Sequence, residues 1–253
     1  MTNSLNGIEW RRTVVFMLLS GLFLGSLTML NILGTSRFID LSFSLGNTKI
    51  PFNLAVGVLP YPITFLCTDL ISELFGKKKA NLVVWTGLLL NIWVVFILWL
   101  GGVLDAPAEL GTDGRLPLEV DAKGLPPSGY VFYEIRYLTF SAVIASMIAY
   151  LTAQFVDVQI FHWLKEKTKG KRLWLRNNVS TLVSQMVDTI AVILITYYLT
   201  DAIRLENPDE AALPQLITGF ILPGYVFKLV VALVDTIPFY ILTRFFRKYL
   251  QLS

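Results

Sequence analysis

Six apolar segments, each long enough to cross a bilayer, constrain this chain more than any other feature. They fall at about 13–34, 54–75, 80–102, 132–161, 179–200 and 214–243. A hydrocarbon core of about 30 Å takes about 20 helical residues at 1.5 Å each. Backbone polar groups must pair internally in lipid, and runs of this length do so as helices. The expected fold class is all-α: a polytopic membrane protein with six transmembrane helices and residues 1–253 as one transmembrane domain. Composition agrees, with 15% charged residues and a mean hydropathy of +0.62, where soluble domains carry about 25% charged residues. The longest non-apolar stretch, Asp105 to Ser128, leaves no room for a soluble core. Arg11-Arg12 precede a run of spanning length, so the first segment reads as a retained helix rather than a signal peptide.

Charge sorts the connections into two groups. Lys77–Lys79 carry +3. Loop 162–178, with Lys165, Lys167, Lys169, Lys171, Arg172 and Arg176 against Glu166, carries +5, and Arg244, Arg247 and Lys248 add +3 near the C-terminus. Loop 103–131 and loop 201–213 each carry −3. Six spans put every basic segment on one face, which the positive-inside rule assigns to the cytoplasm, with both termini there. The basic loop is therefore read as a topology signal, and nucleic acid is not an expected partner. Between the first two spans, Arg37 to Gly46 alternates polar and apolar residues before Asn47, the pattern of a short surface hairpin.

Within the spans lie Asn31, Asp69, Glu73, Gln154, Asp157, Gln185, Asp188, Lys228 and Asp235. A carboxylate in lipid costs at least about 2.5 kcal/mol, so such groups face a partner, a cavity or a pathway. One lysine cannot neutralise five acids. Some must be protonated, solvated or matched by a donor-rich or cationic ligand. Lys228 can pair with Asp188 or Asp69, whereas Asp235, seven residues along and about 10 Å away on the axis, is out of direct reach. Gln154-Phe-Val-Asp157 is echoed by Gln185-Met-Val-Asp188, an amide and a carboxylate on one helix face each time. That echo joins neighbouring helices; separately, three helices on each side of the long loop 103–131 suggest two three-helix halves of inverted topology.

Other features carry less. With one cysteine, Cys67, and one histidine, His162, neither an intrachain disulfide nor a Cys/His metal site can form, and no metal or cofactor is expected. Pro60 and Pro62 read as helix-start signals, while Pro223 and Pro238 can kink the last helix. Gly21-x-x-x-Gly25 is a helix-packing pattern. Trp10, Tyr130, Tyr133, Trp174 and Tyr249 fit an interfacial belt. Trp85, Trp93, Tyr150 and Tyr225 lie deeper, where they pack the core or stack on a planar ligand.

Tyr61-Pro-Ile-Thr-Phe-Leu-Cys-Thr-Asp-Leu-Ile-Ser-Glu-Leu-Phe-Gly-Lys77 resembles the signature of the queuosine precursor transporter family, also called vitamin-uptake-transporter-like proteins. So do Ala145 to Phe161, Asn177 to Asp188, and Tyr225-Val-Phe-Lys-Leu-Val continuing to Pro238. The resemblance implies six spans in a bacterial inner membrane and import of 7-cyano- or 7-aminomethyl-7-deazaguanine for tRNA modification. Alternating access around the buried carboxylates and amides would then move a planar, nucleobase-like solute. The implied partners are that solute, lipid, a coupling proton or sodium ion, and a second copy in a homodimer. Two rivals are a binding subunit of an energy-coupling uptake complex and a membrane enzyme built on Asp69 and Glu73.

Overall fold

Six helices are long and apolar enough to cross a membrane: Gly7–Leu33, Val56–Phe75, Lys78–Val103, Tyr130–Ala149, Leu182–Leu199 and Ala212–Tyr249. They belong to a computed structural model that describes residues 2–34, 36–46, 48–169, 173–199, 203, 205, 207 and 210–252. The expected all-α, six-helix membrane architecture is the one observed. The first five spans lie in α1 (Thr2–Leu33), α2 (Tyr61–Phe75), α3 (Lys77–Val103), α4 (Tyr130–Lys167) and α5 (Leu173–Leu199). The sixth is continuous but not uniform. It runs as α6 (Ala212–Leu216), a π-helical turn (Ile217–Ile221) and α7 (Leu222–Tyr249). Pro223 has no N–H to offer the Gly219 carbonyl, and its ring crowds that carbonyl. This accounts for the widened turn where an α-helix would otherwise continue.

Local sequence sets the helix ends. Pro62 sits in the first turn of α2, where a missing N–H costs nothing. Gly76, at φ +88°, is the one residue between α2 and α3. Lys77–Lys79 then occupy the first turn of α3, where cations oppose the helix dipole. α4 has 38 residues, about 57 Å of helix, so it tilts or runs past the membrane.

Between α1 and α2 the chain forms a two-part hairpin. β1 (Phe38–Asp40) pairs antiparallel with β4 (Asn53–Ala55), and β2 (Phe43–Leu45) with β3 (Thr48–Ile50). Gly46 turns at φ +63°, as two-residue hairpin loops require. The expected surface hairpin is present, and its turn residue Asn47 lies outside the described residues. The hairpin's base rests on the π-helical turn, with Phe38 edge-on to Phe220 at 5.2 Å.

A short 3₁₀ turn, Val56–Val58, then crosses the end of α1. Gly57 donates its N–H to the Gly34 carbonyl at 3.2 Å. A Cβ on Gly57 would stand 2.5 Å from the Cα of Gly34. Backbone cannot yield there as a side chain can, so Gly57→Ala is expected to cost about 1–3 kcal/mol, read as a lower melting temperature of the purified protein.

At the opposite end, α1, α2, α3 and α7 share a core that includes Leu19, Phe23, Leu70, Ile71, Leu74 and Leu250. Arg12 donates to the Leu250 carbonyl at 3.4 Å, and Arg11 lies 5.0 Å above the Tyr249 ring. Lys79 reaches Phe16 and Phe75 at 5.2 and 5.3 Å. The first and last helices therefore end together, beside the basic start of α3. α4 packs along α5, and α5 meets α7.

Several expectations are corrected. Trp85 and Trp93, 69% and 57% exposed, face outward from α3 rather than filling the core. Tyr133 is buried rather than interfacial. A Cβ on Gly21 or Gly25 would meet nothing within 4 Å, so among the described residues no other helix packs closely on that pair. The side chains of Gln154, Asp157 and Tyr150 lie outside the described residues.

Candidate functional site

α2 divides its residues between two faces. Thr64, Cys67, Leu70, Ile71 and Leu74 are buried, and the apolar members of this set enter the shared core. Tyr61, Phe65 and Asp69 recur every four residues on another face, as a helix requires. α7 does the same with Lys228, Val231, Asp235 and Phe239. Together with Gln185 of α5, these seven side chains line a cavity of about 120 Å³. A cavity needs about 10–15 Å³ of this kind of volume for one water, so this one has room for several waters or a small solute.

Charge in the cavity is unevenly matched. Lys228, 8% exposed, donates to Asp188 Oδ2 at 2.7 Å, one of the two pairings expected from the sequence. Asp188 stands three residues after Gln185 on α5, so one helix face both lines the cavity and holds its lysine. The Lys228 ammonium also sits 5.1 Å above the Tyr61 ring, within cation–π range. The α5–α7 seam that fixes this geometry is close-packed. Tyr225 donates its hydroxyl to the Leu182 carbonyl at 3.2 Å, and a Cβ on Gly224 would touch Thr189 at 3.4 Å. Asp69 and Asp235 face the same cavity with no cation paired to them among the described residues.

Two candidates stand apart from this group. Asn31, 4% exposed, donates to Asn91 Oδ1 at 2.8 Å and ties α1 to α3. Glu73 accepts from Arg247 at 2.5 Å near the basic end, where both side chains are over 40% exposed. A pair this exposed contributes about 0–1 kcal/mol. Arg247→Gln should therefore shift the melting temperature by no more than a few degrees. A larger fall would mean that this link between α2 and α7 holds more than a surface contact.

The sequence reading missed Tyr61, Phe65 and Phe239 as wall residues. The signal was available for two of them, since Tyr61 and Phe65 precede Asp69 by eight and four residues. Tyr61 and Phe65 place their ring centroids 4.4 Å apart with the planes tilted by 50°, and give the cavity an aromatic side. Among the described residues no group of three His, Cys, Asp or Glu is placed to hold a metal.

An aromatic wall, an amide and acids in one intramembrane cavity suit a polar planar solute, and known proteins bear on that. The chain is 25% identical over 190 residues to the "Queuosine precursor transporter" of Escherichia coli (strain K12), covering 75% of this chain and 72% of that one. It is 27% identical over 161 residues to the "Probable queuosine precursor transporter" of Bacillus subtilis (strain 168), covering 63% and 58%. A relative of the same name from Haemophilus influenzae is 24% identical over 191 residues, covering 75% and 68%. No solved structure matches the chain. Residues 55–242 match the model of the family described as "Putative vitamin uptake transporter". That match covers well over half of its length and takes in α2, α5 and most of α7, so this six-helix membrane protein belongs to that family.

Proposed function

We propose that the protein imports a queuosine-precursor base of the 7-deazaguanine type across the cytoplasmic membrane. The observation that carries this reading is the cavity between α2, α5 and α7, in a chain whose relatives are named for that substrate. A 7-deazaguanine presents parallel N–H donors along one edge. A carboxylate accepts two such bonds at once, and charged acceptors bind more strongly than neutral ones. In this proposal Asp69 accepts the edge, Gln185 serves the ring carbonyl, and the Tyr61–Phe65 pair covers the ring face. Lys228 and Asp188 hold the wall in shape. Gln154 and Asp157 are kept as candidates on sequence grounds, while Asn31 and Glu73 take supporting positions.

The proposal includes residues 1–253 acting as one transport domain by alternating access. The cavity draws α2 from the first three spans and α5 and α7 from the last three, which supports two halves moving against each other. The basic end, where Arg11, Arg12, Lys79 and Arg247 gather, is assigned to the cytoplasm. Coupling to a proton through the surplus acids, and assembly as a homodimer, belong to the same proposal.

The test is uptake in a bacterial strain that can neither make nor import the precursor. Expression of this chain should restore queuosine to tRNA when the base is supplied at submicromolar concentration. Absence of queuosine, with the protein shown to be in the membrane, would refute the reading. Uptake unchanged after the proton gradient is collapsed would remove proton coupling alone.

A further inference from the structure

Two acids and one base line the cavity, Asp69, Asp235 and Lys228, and Asp188 reaches it only through the lysine. Lys228 is committed to Asp188 at 2.7 Å and is further engaged by the Tyr61 ring at 5.1 Å. Arg247, on α7 beyond the cavity, is committed to Glu73. Among the described residues Asp69 and Asp235 therefore have no cation of the protein's own. They line it from two helices, Asp69 on α2 and Asp235 on α7, and an aromatic ring lines it one turn along from each: Phe65 four residues before Asp69, and Phe239 four residues after Asp235. Two carboxylates that are both ionised in a membrane cavity are costly unless something brings positive charge or donors to both.

One neutral heterocyclic edge satisfies one carboxylate and leaves the other. A ligand with a planar N–H edge at one end and a protonated primary amine at the other satisfies both. We infer that the cavity selects the cationic form of its ligand, and that Asp235 is the counter-ion for the ligand's ammonium while Asp69 holds the ring edge. This rests on the proposed function and narrows it to the 7-aminomethyl-7-deazaguanine cation over the uncharged 7-cyano base. The neighbouring Phe239 ring can add cation–π attraction to the same ammonium.

Isothermal titration of the purified full-length protein with each base, at a pH where the amine is protonated, tests this. The aminomethyl base should bind at least about tenfold tighter than the cyano base, the size expected of one added charge-assisted contact. Equal affinities, or tighter binding of the cyano base, would overturn the selectivity. If neither base binds, the proposed function itself fails, and the selectivity with it. Asp235→Asn should bring the ratio of the two affinities close to one. A ratio that stays at tenfold in this variant would remove Asp235 as the counter-ion. Should Asp235→Asn fold poorly, Asp235→Glu provides the second reading: it keeps the charge and should keep the ratio well above one.

Discussion

Lys228→Met is expected to destabilise the purified protein by about 2–4 kcal/mol. Breaking a buried pair by removing one partner costs about 3–5 kcal/mol, because the other charge is left uncompensated. The value is discounted here because the Asp188 side chain keeps 27% of its surface exposed. Removing both charges should behave differently. In the Asp188→Asn/Lys228→Met double variant neither charge is stranded, so most of the loss should return. Thermal unfolding of the four proteins in one detergent checks this as a double-mutant cycle. Losses that simply add would show that the 2.7 Å contact contributes nothing of its own. The cycle also separates architecture from transport. A double variant that is stable but inactive would show that Lys228 and Asp188 matter to the cavity beyond holding α5 against α7.

Asp69→Asn should weaken binding of a 7-deazaguanine base by about 10- to 150-fold. That follows from about 1.5–3 kcal/mol for hydrogen bonds to a charged group, at 1.4 kcal/mol per factor of ten. The amide keeps the shape but offers one acceptor and one donor where two acceptors faced two ligand N–H groups. The melting temperature should hardly move, because Asp69 makes no ion pair with a described residue and opens onto the cavity. Titration calorimetry on a variant that melts like the wild type is the decisive measurement. Unchanged affinity would remove Asp69 from direct contact with the base.

Much of this arrangement was legible in the sequence. Spanning length and polar cost are properties of single segments, so six helices and a short roster of intramembrane charges could be read without any packing. The hairpin before α2 announced itself through alternation and a Gly-Asn turn. Pairing was harder. Lys228 could reach Asp188 or Asp69 on paper, and only the way α7 lies against α5 separates them. The outward face of α3 was illegible because a helix in lipid is as apolar outside as inside, so nothing in the sequence marked Trp85 and Trp93 as facing away from the bundle. Pro223 marked a disturbance in the last helix, but only the structure shows the form it takes, a π-helical turn over Ile217–Ile221, because a lost N–H can be absorbed by a kink or by a widened turn.

The sequence by itself determined that the chain holds six segments able to cross a membrane and that these spans hold more acid than base. These follow from the transfer cost of groups and need no knowledge of neighbours. The tertiary structure decided which acids are spent and which are left over. Asp188 is matched by Lys228 and Glu73 by Arg247, while Asp69 and Asp235 face one cavity with no cation paired to them among the described residues. That division depends on contacts between residues 40 and 174 positions apart, which only the packing of α2, α5 and α7 brings together.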